Sequence, residues 1–485
     1  MGGSLDAVGL SPEGWYIMRG FRMFEKKVYS CTFDLMSFIP SLENPNITIL
    51  DEFNAFNSKV KICSKSRLIE NGKIIDAKPL QLCLKDRLSL LMLLVRSERS
   101  LGKKQIDEYF TQSLFQSDFW YEFATTFSFQ PWHSIAEFRR YLLRFLQDAP
   151  IINTAECIQN TRYNQYDSIV LPIVKWLKKQ NVNFQTDCTV TDISFKIKDN
   201  KKFAESITYI KNGEESKITV NTEDKTLITL GSMSANSMLG SMDCAPSYLP
   251  TQSHASWNLW KNIAENQSEF GNPSIFTSQP DKTKWSSFTL TFRSSLFLDL
   301  MEKFTWKKAG EGGGLVTIKD SNWLLTIGIP SQPHFIGQSS DISVCWGYGL
   351  FSDKEGNFVR KKMSECTGEE ILTELCKHLR FDEHLEKIRK TAVCIPCMMP
   401  YITSQFLPRK QNDRPRIIPK KSANFALIGQ YCEIPRDMVF TVEYSVRSAQ
   451  IAVYSLFKLK KKITPMYHGR LHPKVVWNAI RTAFR

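Results

Sequence analysis

The sequence predicts a mixed α/β protein, α+β overall, whose principal fold is discontinuous along the chain. Three observations carry this reading. At 485 residues the chain is too long for one ordinary core, so it divides into domains or forms one large discontinuous α/β architecture. Helical periodicity dominates residues 80–150, whereas short β-rich runs and loops dominate 246–421. Two strand-like runs far apart in sequence, Lys225–Leu230 and Asn424–Ile428, end at Gly231-Ser232 and Gly429-Gln430. A strand running into such a glycine suits backbone amides that meet a cofactor phosphate or ring, with a plain β-turn as the alternative.

Composition narrows the class. A hydrophobic fraction of 42% with 12% aromatics is ample for a globular enzyme, and no run of eighteen apolar residues exists to span a bilayer. Twelve scattered cysteines without a signal peptide fit a reducing, cytoplasmic setting. Cys394-Ile395-Pro396-Cys397 is a lone CxxC pair with no accompanying histidine cluster, so it is read as structural and no metal site is expected. A net charge of +14 asks for an anionic partner. No zinc finger or RNA-binding signature is present, so nucleic acid is not that partner. From Ile451 to Arg485 there are eight Lys or Arg residues and no acid, interspersed with Trp477, Ile480 and Phe484. This mixture suits an amphipathic segment lying on an anionic membrane surface, or equally a charged helix packed on the protein.

Along the chain, Gly2 and Gly3 beside Ser4 and Asp6 let backbone approach a ligand closely, and Arg19 and Arg22 flank Gly20 where a phosphate or carboxylate can be gripped. A turn and solvated charges are the plainer readings. Residues 1–60 lack the strand, GxGxxG turn and helix that open a dinucleotide fold. Leu88, Leu90, Leu91, Leu94 and Val95 predict one apolar helix face; Phe138, Tyr141, Leu142 and Phe145 predict a second helix, and Ile169–Leu177 a third. Strands are expected at Val182–Thr186, Cys188–Phe195, Phe288–Phe292, Trp323–Ile327 and Ser343–Trp346, and helices at Glu369–Leu379 and around Glu443–Leu459. Gly310–Gly314, ahead of Leu315–Ile318, reads as a hairpin turn.

Several blocks are long enough to carry a resemblance. GGSLDAVGLSPEGWYIMRGFRMFE followed by CTFDLMSFIPSLENP, Gln130–Ser134, Arg140–Phe145, Tyr163–Ser168, Gly231–Met233, Lys319–Trp323, Gln332–Phe335, Thr403–Phe406 with Pro408-Arg409, and Val439–Arg447 closely resemble the oleate hydratase family, the FAD-containing fatty acid hydratases once called myosin-cross-reactive antigens. The blocks run in family order over nearly the whole chain.

The resemblance implies addition of water across a cis double bond of an unsaturated long-chain fatty acid, with FAD undergoing no net redox change. It implies a discontinuous Rossmann-like FAD-binding domain in three pieces, residues 1–60, 163–245 and 422–455. A mainly helical region 61–162 and a β-rich substrate-binding region 246–421 would be inserted in it, and a basic helical segment 456–485 would follow. Because the likeness begins part-way through the FAD domain, Met1 is expected to be a late start, an incomplete gene model or a truncated gene, and FAD binding is expected to be weak or lost without the missing part. A homodimer is an open expectation.

For the chemistry, the resemblance implicates Tyr141 as proton donor, helped by cations such as Arg139, Arg140 or Arg144, because a phenol with its ordinary pKa near 10 is a weak acid. The water-activating glutamate that closes the family's RGGRE block falls here on Met23, as it does in some other members, and the second glycine of that block falls on Phe21. Glu25 is the nearby alternative: if the stretch is extended, Met23 and Glu25 share a face about 6–7 Å apart. Its plainer reading is a solvated member of a charged turn with Lys26 and Lys27. Substrate contacts implied by the family blocks fall on His334, Gln332, Tyr163, Tyr166 and Thr403. Flavin contacts fall on Gly2, Gly3, Ser4, Arg19, Gly20, Arg22, Gly231, Ser232, Glu433, Val439 and Thr441. Two other classes stay open, a non-catalytic lipid-binding remnant of the family and a flavin oxidoreductase of the amine-oxidase kind.

Overall fold

A computed structural model describes residues 2–9, 14–248, 254–311 and 315–484. Its largest element is an eight-stranded mixed sheet in the order Met238–Leu239, Ala392–Met399, Trp285–Phe292, Ser343–Gly349, Leu325–Gly328, Val316–Ile318, Leu68–Glu70, Lys73–Ile74. Every pairing is antiparallel except that of Val316–Ile318 with Leu68–Glu70. Trp285–Phe292 is buried at all of its positions, as a central strand covered on both faces should be.

The two faces of that strand follow from its period of two. Phe288, Leu290 and Phe292 point into one apolar cluster with Phe297 and Met301 of the Leu296–Thr305 helix and Ile371, Leu372 and Leu375 of the Gly368–His378 helix. The opposite face carries Trp285 and Thr289, with Trp346 and Tyr348 from the next strand, and belongs to the main core. Across this second face runs the N-terminal stretch: Tyr16 and Met18 donate their N–H groups to the hydroxyls of Thr291 and Thr289 at 3.3 and 2.9 Å. Cys394 and Cys397 lie buried in the Ala392–Met399 strand.

Of the four smaller sheets among the described residues, two have strands longer than two residues. Thr226–Thr229 pairs in parallel with Phe425–Ile428, joining chain segments that are remote in sequence. Cys188–Lys198, Lys201–Lys211 and Glu214–Thr219 form an antiparallel meander. The Val442–Leu456 helix packs on Phe425–Ile428 and on the Ser30–Met36 helix, whose first turn is capped by the Glu443 carboxylate through the Cys31 and Thr32 N–H groups at 3.0 and 2.9 Å.

Several expectations change. Val182–Thr186 is not a strand; the chain there is an irregular, largely exposed connection into Cys188–Lys198. The second and third strands of that meander were not anticipated, because their alternation is diluted by Lys and Glu on an exposed face. The Leu84–Val95 helix buries Leu90 and Leu93, whereas Leu88 and Val95 are 49% and 84% exposed. A helix apolar on nearly all sides offers no periodicity from which to choose a face. Of Gly310–Gly314, residues 312–314 lie outside the described residues; the turn between Val316–Ile318 and Leu325–Gly328 is instead made by the residues from Lys319 to Leu324.

Candidate active site

An apolar cavity of about 210 Å³ lies between the second face of the large sheet and the helices that cover it. Trp285, Trp346 and Tyr348 form its sheet wall, and Phe21, Met23, Phe24 and Glu25 of the N-terminal stretch a second. The Ile135–Arg144 helix and the turn after it contribute Tyr141, Leu142, Phe145 and Asp148. The Pro473–Ala483 helix closes the cavity with Val476, Ala479, Ile480 and Ala483, the i, i+3, i+4, i+7 stripe of one helix face. Its opposite face keeps Lys474, Trp477 and Arg481 exposed. The basic C-terminus is therefore packed against the protein through its apolar side.

Tyr141 is 1% exposed and held by Phe127, Phe129, Phe145 and Phe406, with ring centroids 5.0–6.1 Å away. Its hydroxyl donates to the Val439 carbonyl at 2.5 Å. Burial pushes the phenol well above its ordinary value, reinforced by Tyr29, Glu137 and Asp437 and opposed by Arg22. The cation acting on Tyr141 is thus Arg22 and not its helix neighbours, which are engaged elsewhere. Arg139 donates to the carbonyls of Leu93 and Leu94, Arg140 binds Glu98 and Glu433, and Arg144 donates to the carbonyls of Val28 and Tyr467.

Arg22 has no carboxylate partner among the described residues. Its guanidinium reaches the Ser4 carbonyl at 3.4 Å and lies 5.5 Å from the Phe440 ring centroid. It folds back over Gly20, where an added Cβ would stand 2.4 Å from Nη1. Phe440 is held at φ 72°, a strained conformation for an aromatic residue and one that is maintained by its surroundings at the cavity wall.

Met23 and Glu25 both reach the cavity, on either side of Phe24, where Phe24–Glu25 pairs with Ile158–Gln159. Glu25 is 7% exposed, so the solvated reading fails; its Oε2 accepts the Val28 N–H at 2.7 Å, and burial raises its pKa against that stabilisation. Thr441 lines the same cavity and caps the Val442–Leu456 helix through the Tyr444 N–H at 3.2 Å. Sequence reasoning missed Asp148. It lies in the Leu146–Ile151 turn beyond the end of the Tyr141 helix, so no helical spacing marked it.

The five residues assigned to substrate do not line this cavity. His334 is 2% exposed, with its ring 6.0 Å from Phe21, both ring nitrogens unpartnered, and its pKa lowered to about 3 by burial. Gln332 is consumed by hydrogen bonds with Pro330, Gln338 and Val344. Tyr163 donates to Glu43 at 2.6 Å, and the Thr403 hydroxyl donates to the Thr283 carbonyl at 2.9 Å. Tyr166 lies against Gly2, 3.3 Å from where its Cβ would be.

Among the positions assigned to a flavin, Gly2 and Gly3 are left-handed at φ 100° and 57°, and Arg19 joins the Ser4 neighbourhood through its N–H to the Asp6 carbonyl. The two parallel strands end side by side, Thr229 opposite Ile428, and turn at Gly231 and Gly429 with φ 60° and 97°. Ser232 sits in the first turn, its hydroxyl 3.2 Å from that of Ser234. Two positions fit a ligand less well. Trp257 occupies the space over Gly231, 2.5 Å from an added Cβ, and Glu433 is held by Arg140 and Arg409 at 2.8 and 2.7 Å.

Paired strand ends, left-handed glycines and an apolar cavity whose wall carries Tyr29, Tyr141, Tyr348 and an arginine without a carboxylate partner among the described residues belong to a mixed α/β protein of the kind that holds an apolar ligand. A family model described as the MCRA family matches residues 1–454. The chain is 38% identical over 475 residues to an oleate hydratase of Streptococcus pyogenes serotype M49 (strain NZ131), covering 95% of this chain and 80% of that protein. It is 31% identical over 469 residues to a linoleate hydratase of Lactiplantibacillus plantarum, covering 90% of this chain and 82% of the relative. The chain belongs to the MCRA family.

Proposed function

We propose that this protein is a hydro-lyase that adds water across a cis double bond of an unsaturated long-chain fatty acid, giving a hydroxy fatty acid. The observation that carries the reading is an apolar cavity that brings Tyr141 together with Arg22, Met23 and Glu25 from a remote part of the sequence. An acyl chain fits such a wall because burying it removes apolar surface from water on both partners. The relatives' activities on oleate and linoleate support the same substrate class.

In this reading Tyr141 gives its proton to one alkene carbon. Its raised pKa keeps the phenol loaded with that proton near neutrality, and Arg22 lowers the cost of the phenolate that forms. Substrate entry must replace the Val439 carbonyl with the alkene as the group the hydroxyl faces. Phe21 in place of glycine narrows the wall next to His334.

FAD suits the carboxyl ends of the parallel strand pair, where Rossmann-like sheets place their ligands. Gly2, Gly3, Ser4, Arg19, Arg22, Ser232 and Thr441 would hold it, in keeping with a cofactor domain assembled from three pieces of the chain. When bound it supplies positioning and electrostatics, since hydration transfers no electrons.

The test incubates the purified chain with oleate, with and without added FAD, and reads product mass. A gain of one water is expected. Loss of two hydrogens with bleaching of the flavin would mark an oxidoreductase, and fatty acid binding without product would mark a remnant.

A further inference from the structure

Resting on the hydratase reading, we propose that Asp148, backed by Glu25, takes the proton from the attacking water and so does the work for which Met23 is unsuited. Methionine cannot accept a proton, and among the described residues the carboxyl side chains on the cavity wall are Glu25 and Asp148. They differ in availability. One Glu25 oxygen caps the turn that follows it through the Val28 N–H. Among the described residues Asp148 accepts from Gln147 Nε2, at Oδ2 and 2.9 Å, which leaves Oδ1 for a water in the cavity.

Position supports the same division of labour. Tyr141 comes from the Ile135–Arg144 helix and Asp148 from the Leu146–Ile151 turn that follows it across Phe145, and both line the same cavity. The two groups come from consecutive elements of the chain, and Phe145, which joins them, lines the cavity with both.

The surroundings are those of a general base. Burial and the Glu25 charge raise the Asp148 carboxyl to about 7, while Gln147 and Lys27 work in the opposite direction. Both carboxylates also act on the Cys157 thiol, and Arg144 acts on Glu25. The Pro473–Ala483 helix adds no titratable group to the cavity wall. A carboxylate poised near neutrality releases and accepts protons at the working pH.

The step balances. The water oxygen forms the new C–O bond, and its proton passes to Asp148; the Tyr141 proton goes to the other alkene carbon. The Asp148 proton then returns through cavity water to the phenolate, and no electron is transferred.

Asp148→Asn should lower hydration about 100-fold or more while fatty acid affinity stays within about threefold, and Asp148→Glu should restore part of the rate. Glu25→Gln should move the acid limb of the pH–rate profile to lower pH, because removing the neighbouring negative charge lowers the Asp148 pKa. A near-parental rate for Asp148→Asn, or an acid limb that Asp148→Asn leaves in place, overturns the proposal while the hydratase reading survives. An inactive parent overturns the hydratase reading instead. A readout independent of turnover is the carbon NMR titration of aspartate-labelled protein. One carboxyl should titrate near pH 7 in the parent and be missing in Asp148→Asn, and its absence from the parent overturns the proposal by itself.

Discussion

Tyr141 shows how one atom separates packing from chemistry. Its ring is locked among four phenylalanines, so Tyr141→Phe keeps the core filled and removes only the hydroxyl and its bond to Val439. That loss should cost about 1–2 kcal/mol of stability, the price of an unpartnered buried carbonyl. Hydration should fall below detection while fatty acid binding persists; parallel turnover and displacement assays check it, and unchanged turnover removes Tyr141 from the mechanism. His334 supplies a pH test at the same scale. Burial holds its folded-state pKa near 3 against an unfolded value of 6.5, so the unfolded chain takes up a proton between those values that the folded chain refuses. Its contribution to stability is present above about pH 6.5 and is lost as pH falls. The unfolding free energy of His334→Gln relative to the parent should therefore improve on moving from pH 7.5 to pH 5, by about 2 kcal/mol. An invariant difference would show that His334 is not held neutral.

At the scale of elements, the Pro473–Ala483 helix matters most. Its Val476, Ala479, Ile480 and Ala483 stripe forms one wall of the cavity, although the segment carries only basic charges. Ile480→Glu places a carboxylate on that wall, where an acyl chain cannot solvate it. Fatty acid affinity should fall about tenfold or more, and because the helix is peripheral the melting temperature should move by only a few degrees. A fluorescent fatty acid displacement assay beside thermal melts checks both. Equal affinity would mean that the acyl chain does not run beneath this helix.

For the whole molecule, charge is the feature left over once the cavity is accounted for. Net charge is +14, Lys458, Lys460, Lys461 and Lys462 are exposed, and Trp477 is 65% exposed on the outer face of the closing helix. No helix among the described residues is long and apolar enough to cross a membrane. The expected behaviour is reversible adsorption to anionic bilayers, with each Lys near the surface contributing about 1 kcal/mol. Sedimentation with phosphatidylglycerol vesicles should carry the protein down at low salt and release it at about 1 M salt, where screening reaches about 3 Å. Reversing the charges of Lys460, Lys461 and Lys462 should abolish sedimentation; salt-independent binding, or equal binding to neutral vesicles, would contradict the charge-driven picture.

The sequence by itself determined the family, through blocks such as Val439–Arg447, and most regular elements, because strands such as Trp285–Phe292 and helices such as Gly368–His378 carry strong local periodicity and caps. It also singled out Tyr141 and Met23, which share the wall of one cavity. Tertiary structure alone decided the rest. Which leucines of Leu84–Val95 face inward, that Glu25 is buried, that Arg22 rather than Arg140 acts on Tyr141, and that Asp148 shares their cavity all depend on segments brought together from opposite ends of the chain. Burial and the electrostatics it controls are properties of those long-range contacts, and local spacing holds no record of which distant surface will cover a side chain.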